Sequence, residues 1–198
     1  MKIMVIGASG TLGRGIVKEL KSDHEIICVG KTRGDLQVDL TQESSIRTLF
    51  ARSGKVDAIV AATGGVHFGP LADMTSTQFN SGLQDKLMGQ VQLVLIGKDY
   101  LTAGGSFTLT TGILAQQPIR SGVNATVVNG ALESFVLAAA SELPGLRINA
   151  VSPTVLTESL DKYAAYFPGF ESAPVNRVAL AYRRSIEGID NGHVYRIW

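Results

Sequence analysis

Short apolar runs alternate along this chain with longer stretches in which apolar residues recur every three or four positions. Ile3–Ile6, the run Ile26–Val29 inside a strand Glu25–Val29, and Val56–Ala61 read as strands covered on both faces. Leu36–Asp39, Ser106–Leu109, Arg147–Val151 and His193–Ile197 extend the series. Between them, Ile16, Val17 and Leu20 mark the inner face of a first helix, and Ser44–Phe50 reads as a second. Phe79, Leu83, Leu87, Val91, Val94 and Leu95 repeat at helical spacing, with Gly104-Gly105 as the expected stop. A further long helix, Asn124–Leu143, carries Val128, Leu132, Phe135, Val136 and Ala139 on one side and small residues on the other. Leu71–Thr75 reads as loop, Glu158–Phe170 as an aromatic-bearing segment, and Val175–Glu187 as a last helix.

Strands that alternate with helices, each strand apolar throughout, predict a parallel sheet covered on both faces. The expected architecture is α/β: a single-domain, Rossmann-like, doubly wound parallel sheet of about seven strands with helices on both faces. No repeat, linker or low-complexity tract interrupts it.

The first strand runs straight into Gly7-Ala8-Ser9-Gly10-Thr11-Leu12-Gly13, and a helix follows at once. Free N–H groups and the positive end of that helix make an anion site, with Ser9 or Thr11 expected to cap its first turn. Three glycines suit a tight turn, close approach of a pyrophosphate and helix–strand packing. After the second strand, Lys31-Thr32-Arg33 place two cations beside a hydroxyl where no carboxylate stands. Such a loop suits a ribose 2′-phosphate better than a free 2′-hydroxyl. Asp39 is positioned to accept an adenine amino group or to turn the chain, and Ala62-Thr63-Gly64-Gly65 keeps a second strand end open for a flat ligand.

Composition narrows the class. With 18 basic and 17 acidic residues and no run of like charge, neither a nucleic-acid face nor a membrane-surface patch is expected. Gly7 breaks the first apolar run too early for a secretory signal, so the chain reads as cytoplasmic. No apolar segment is expected to approach the roughly 20 residues of a membrane span, the longest candidate being Val91–Ile96. The single Cys28 reads as a small buried hydrophobe and His67 as a loop residue, and no metal site is expected.

In order along the chain, GASGTLG, VDLT from Val38, AATG from Ala61 and RINAVSPT from Arg147 resemble the motifs of the short-chain dehydrogenase/reductase family. The resemblance implies NADP(H) lying across the strand ends, with Gly7, Ser9, Gly10, Thr11, Leu12, Gly13, Lys31, Thr32, Arg33, Asp39, Leu40, Ala62, Thr63 and Gly64 around it. It also implies a homodimer or homotetramer through the two long helices. The family's catalytic Tyr and Lys are missing. VNGALESFVLAAASEL from Val128 resembles the family's Ser-Lys-Ala-Ala-Leu-Glu helix, which puts Asn129 at the Lys and Ala125 at the Tyr. Gly112, or with a one-residue shift Thr111, falls at the family's Ser, and Lys86 falls at its Asn. Two functions follow as expectations. One is an oxidoreductase on a small carbonyl or alcohol, with Lys86 as acid, Thr111 as oxyanion donor, and Tyr163 or Tyr166 reaching in. The other is a catalytically silent NADP(H)-binding sensor or regulatory module.

Overall fold

Alternation at period two decides both faces of the first strand. In β1 (Lys2–Ile6), Met4 and Ile6 point into one apolar layer while Ile3 and Val5 point into another. The computed structural model covers residues 1–198 and arranges β1, β2 (Glu25–Gly30), β3 (Leu36–Gln37), β4 (Val56–Ala61), β5 (Leu101–Thr110), β6 (Arg147–Pro153) and β7 (Val194–Ile197) in one sheet. The order is β3-β2-β1-β4-β5-β6-β7, and every pairing is parallel. Winding reverses between β1 and β4, so a crevice opens there at the carboxyl ends.

On one face, α2 (Glu43–Ser53), α4 (Gly89–Gly97) and α5 (Val123–Glu142) bury Ile46, Leu49, Phe50, Leu93, Val128, Leu132 and Val136 against the sheet. On the other, α1 (Thr11–Leu20) and α7 (Val175–Glu187) bury Ile16, Leu20, Val178, Tyr182 and Ile186. Two covered faces account for strands without a polar side. Asp57 is the exception in β4, and its carboxylate accepts the Lys2 N–H and the Thr102 hydroxyl, each at 2.7 Å.

The long helix predicted from Phe79 is a composite: α3 (Ser76–Gly82), a π-helical stretch Leu83–Met88, then α4. Gly104-Gly105 does not stop it. The helix ends at Gly97, a single 3₁₀ turn Lys98–Tyr100 follows, and the glycines lie inside β5 at an irregularity between its pairings with Val56 and Ala58. Leu71–Asp73 adds a 3₁₀ turn to the expected loop, and the aromatic-bearing segment contains the short α6 (Leu160–Tyr163). Two more expectations are corrected. Cys28 is half-buried rather than buried, at the edge of the α1 layer. The longest apolar helix is α5, not the stretch around Val91, and by length and composition alone α5 is sufficient to cross a membrane. Here Val128, Leu132 and Val136 lay it on the sheet as a core helix.

Candidate cofactor crevice and active site

The turn between β1 and α1 works only with glycine. Gly7 has φ of +83°, and a Cβ there would stand 2.3 Å from the Ala62 carbonyl oxygen, while one on Gly13 would stand 2.1 Å from the Gly7 carbonyl oxygen. The backbone is thereby free to meet a pyrophosphate at the start of α1, so the residues present fit a dinucleotide. Neither Ser9 nor Thr11 caps the helix. Gly10 is the N-cap, with no side-chain bond, which leaves the first-turn N–H groups for a ligand.

A cavity of about 150 Å³ continues the crevice toward β3, lined by Gly7, Lys31, Asp39, Leu40, Thr63 and Gly64 among others. Asp39 is committed there. Its Oδ1 accepts the Thr41 N–H at 3.0 Å and hydroxyl at 2.8 Å, its Oδ2 stands 3.0 Å from Lys31 Nζ, and these contacts draw its pKa down to about 2. Lys31 and Arg33 do not converge. Arg33 turns into a separate groove of about 400 Å³ beside α1, with Ser9, Arg14, Lys18 and Lys21. Arg14 is a cation that sequence reasoning missed, although its place just after Gly13 at the start of α1 was legible.

Across the crevice, the π-helical stretch holds Lys86, and such stretches are frequent at functional sites. Its ammonium donates to Asn129 Oδ1 at 2.7 Å and to the Thr111 carbonyl at 3.2 Å. Burial lowers the Lys86 pKa to about 8. An ammonium has three N–H groups, so one remains available. Asn129 is 3% exposed, and with Oδ1 facing the ammonium its Nδ2 faces Gly112, 3.1 Å from where a Cβ would stand. The Thr111 hydroxyl, expected to serve an oxyanion, instead donates to Glu133 Oε1 at 3.2 Å. Gln116 donates to the other oxygen of Glu133. Gln90 clamps the strand end from α4, accepting the Thr110 N–H at 2.9 Å and donating to its carbonyl at 3.0 Å. Glu133 and Gln90 were not anticipated; Glu133 lies at helical spacing after Ala125 and Asn129, a signal present in the sequence.

Ala125 lies one turn before Asn129, 2% exposed, in a small apolar cluster with Ile113 and Leu114. Phe167 and Phe170 pack over that cluster, while Tyr163 and Tyr166 pack on Phe68 with ring centroids 6.1 and 5.2 Å apart.

Residues 5–195 match the family model described as enoyl-(acyl carrier protein) reductase. The chain belongs to the short-chain dehydrogenase/reductase family. L-xylulose reductase of Bos taurus is 25% identical over 95% of this chain and 85% of its own length. Among solved structures, the protein lin1944 from Listeria innocua is 46% identical over the whole of both chains, with a TM-score of 0.99. A small-chain dehydrogenase in complex with NADPH shares the fold, at 24% identity over 100% of this chain and 96% of its own, with a TM-score of 0.89. Where the motif resemblance puts the family's lysine, on α5, this chain has Asn129, and where it puts the family's asparagine, on the preceding helix, it has Lys86; the two side chains meet.

Proposed function

We propose that this protein is an NADP(H)-dependent oxidoreductase acting on a small carbonyl or alcohol, with Lys86 as its proton donor. The observation that carries the reading is the desolvated Lys86 ammonium, held by Asn129 and the Thr111 carbonyl with one N–H to spare. When bound, the nicotinamide supplies hydride chemistry. Lys86 donates a proton to the substrate oxygen, which general acid catalysis of this kind accelerates by about 10²–10⁴-fold. Asn129 orients that ammonium through Oδ1 and turns Nδ2 toward the site beside Gly112, where the family's hydroxyl is absent. Thr111 contributes its carbonyl, and its hydroxyl steadies Glu133.

NADP(H) rather than NAD(H) is favoured by cations on both sides of Gly30: Lys31 in the adenosine cavity, Arg33 and Arg14 in the groove. Calorimetric titration of NADPH and NADH tests this, with NADPH expected to bind more tightly and Arg33→Ala to weaken only NADPH. Equal affinities would reject it.

A second reading, a silent cofactor-binding sensor, has one observation in its favour: Ala125 is sealed by Ile113, Leu114 and the aromatic residues above them. Mixing NADPH-loaded protein with a panel of aldehydes and ketones separates the two. Oxidation of bound NADPH supports the enzyme, and binding without oxidation of NADPH by any carbonyl supports the sensor.

A further inference from the structure

We propose that the substrate is a carbonyl compound with an apolar body and a carboxylate remote from the carbonyl, and that Arg120 binds that carboxylate. This inference rests on the oxidoreductase reading above and adds the substrate class. The cavity concerned measures about 560 Å³ and lies between the loop that follows β5 and the segment that follows β6. Pro118, Ile119 and Ser121 form one wall; Tyr166, Pro168 and Phe170 form the other. The lining is mainly apolar and contains one cation, Arg120, and no carboxylate. A pocket of that size with a few polar groups on an apolar wall suits a small organic ligand.

Arg120 makes no ion pair, and unlike the other unpaired arginines it stands on the wall of this apolar cavity. Its neighbour Ser121 is the one non-glycine residue with positive φ, at +64°, and its carbonyl accepts the Gly69 N–H at 2.9 Å. Strain of this kind persists only where the surroundings impose it, and it gathers at ligand sites. A strained, tethered turn thus presents an unpaired guanidinium to a cavity, and a guanidinium matches the two oxygens of a carboxylate.

The cavity borders the apolar cluster that separates it from the polar centre. Ile119 and Phe170 pack on the cluster that contains Ala125, and Ala125 is one helical turn, about 6 Å, from Asn129. Pro168 and Phe170 are shared with a second cavity of about 220 Å³ that reaches Ile113 and Thr154. Ile113 directly follows Gly112. The apolar body of the substrate then lies along Ile119 and Phe170, with its anion at Arg120 and its carbonyl displacing the cover over Ile113 and Ala125 to face Lys86.

The probes are 4-carboxybenzaldehyde and its methyl ester, with terephthalate as a ligand that undergoes no reduction. In NADPH-loaded protein, kcat/KM for the acid should exceed that for the ester by about tenfold or more, the scale of a charge-assisted hydrogen bond. Arg120→Gln should abolish this preference, leaving ester turnover and NADPH affinity intact, and Arg120→Lys should restore part of it. Calorimetry with terephthalate reads the site without turnover: binding to the NADPH-loaded protein, lost in Arg120→Gln, upholds the carboxylate site even if no aldehyde is reduced, in which case the oxidoreductase reading alone fails. Equal kcat/KM for acid and ester with no terephthalate binding, or a preference unchanged in Arg120→Gln, would overturn the inference.

Discussion

Lys86 carries a conflict that its neighbours resolve. A buried ammonium loses hydration, and here it recovers two hydrogen bonds, to Asn129 Oδ1 and the Thr111 carbonyl, but no carboxylate. The lowered pKa of about 8, against an ordinary 10.5, has two consequences of opposite sign. Between these values the unfolded chain holds a proton that the folded chain has lost, so this group's contribution to stability rises with pH from about 8 upward. A proton donor must be charged, so carbonyl reduction should fall as pH rises through about 8, and alcohol oxidation should rise. Rate–pH profiles in both directions check this. A reduction rate flat from pH 7 to about 10 in the wild type would contradict the role of Lys86 as acid. The same reasoning makes Lys86 and Asn129 a coupled pair. Lys86→Asn strips the centre of its donor and Asn129→Lys sets two ammoniums together, so both singles should lower stability or activity, and the reciprocal double variant should recover part of the loss. A double-mutant cycle should show coupling of about 1 kcal/mol or more, and additive effects would deny the pairing.

At the scale of elements, the glycine turn and α5 make the crevice, and they differ in what they tolerate. Gly7→Ala and Gly13→Ala drive a Cβ into backbone oxygens at 2.3 and 2.1 Å and should cost several kcal/mol, about the range of severe backbone and packing defects. Gly10→Ala meets only the Gly7 carbonyl at 3.3 Å and should fold with a cost under about 1 kcal/mol. Denaturant titration of the three variants checks the contrast. On α5, restoring the family's side chains is not a free choice. Gly112 is extended, with φ of 164°, so Gly112→Ser is allowed by the backbone once Asn129 gives a few tenths of an ångström. Ala125→Tyr must displace the aromatic cover over Ile113 and Leu114 and should destabilise by about 1–3 kcal/mol. Asn129→Lys should be made with Lys86→Asn, for the reason of charge given above. The extent to which all this was legible follows the range of the interactions. Continuous apolar runs and glycine spacing are local, so α7, the turn at Gly7 and the strands, apart from the first half of β5, could be read from the chain. The separation of Lys31 from Arg33, the end of α4 at Gly97 and the use of the Thr111 hydroxyl depend on contacts between distant segments. Lys86 and Asn129 were each legible as departures from a family pattern, but their meeting is a property of the fold.

At the scale of the whole molecule, one surface remains unexplained by the chain itself. Leu95 and Leu137 are 55% and 70% exposed, and a groove of about 310 Å³ between α4 and α5 is lined by Val94, Phe135, Ala138 and Leu143. We propose that a second copy covers it, forming a homodimer or homotetramer through these helices, where small residues permit close approach. Sedimentation should show at least a dimer at micromolar concentration and a monomer for Leu137→Glu; a monomeric wild type would refute the assembly. On the proposed reading, the sheet, the glycine turn and the Lys86–Asn129 pair act as one device that sets a proton donor across the crevice from the cofactor turn. The most direct test is a single-turnover measurement of NADPH oxidation by wild type and Lys86→Met against a carbonyl panel, with NADPH affinity measured on both proteins. The account predicts that both bind NADPH alike, that the wild type oxidises it in the presence of at least one carbonyl, and that Lys86→Met is slower by about 10²-fold or more. An undiminished rate in Lys86→Met, or no oxidation by the wild type with NADPH bound, would contradict it.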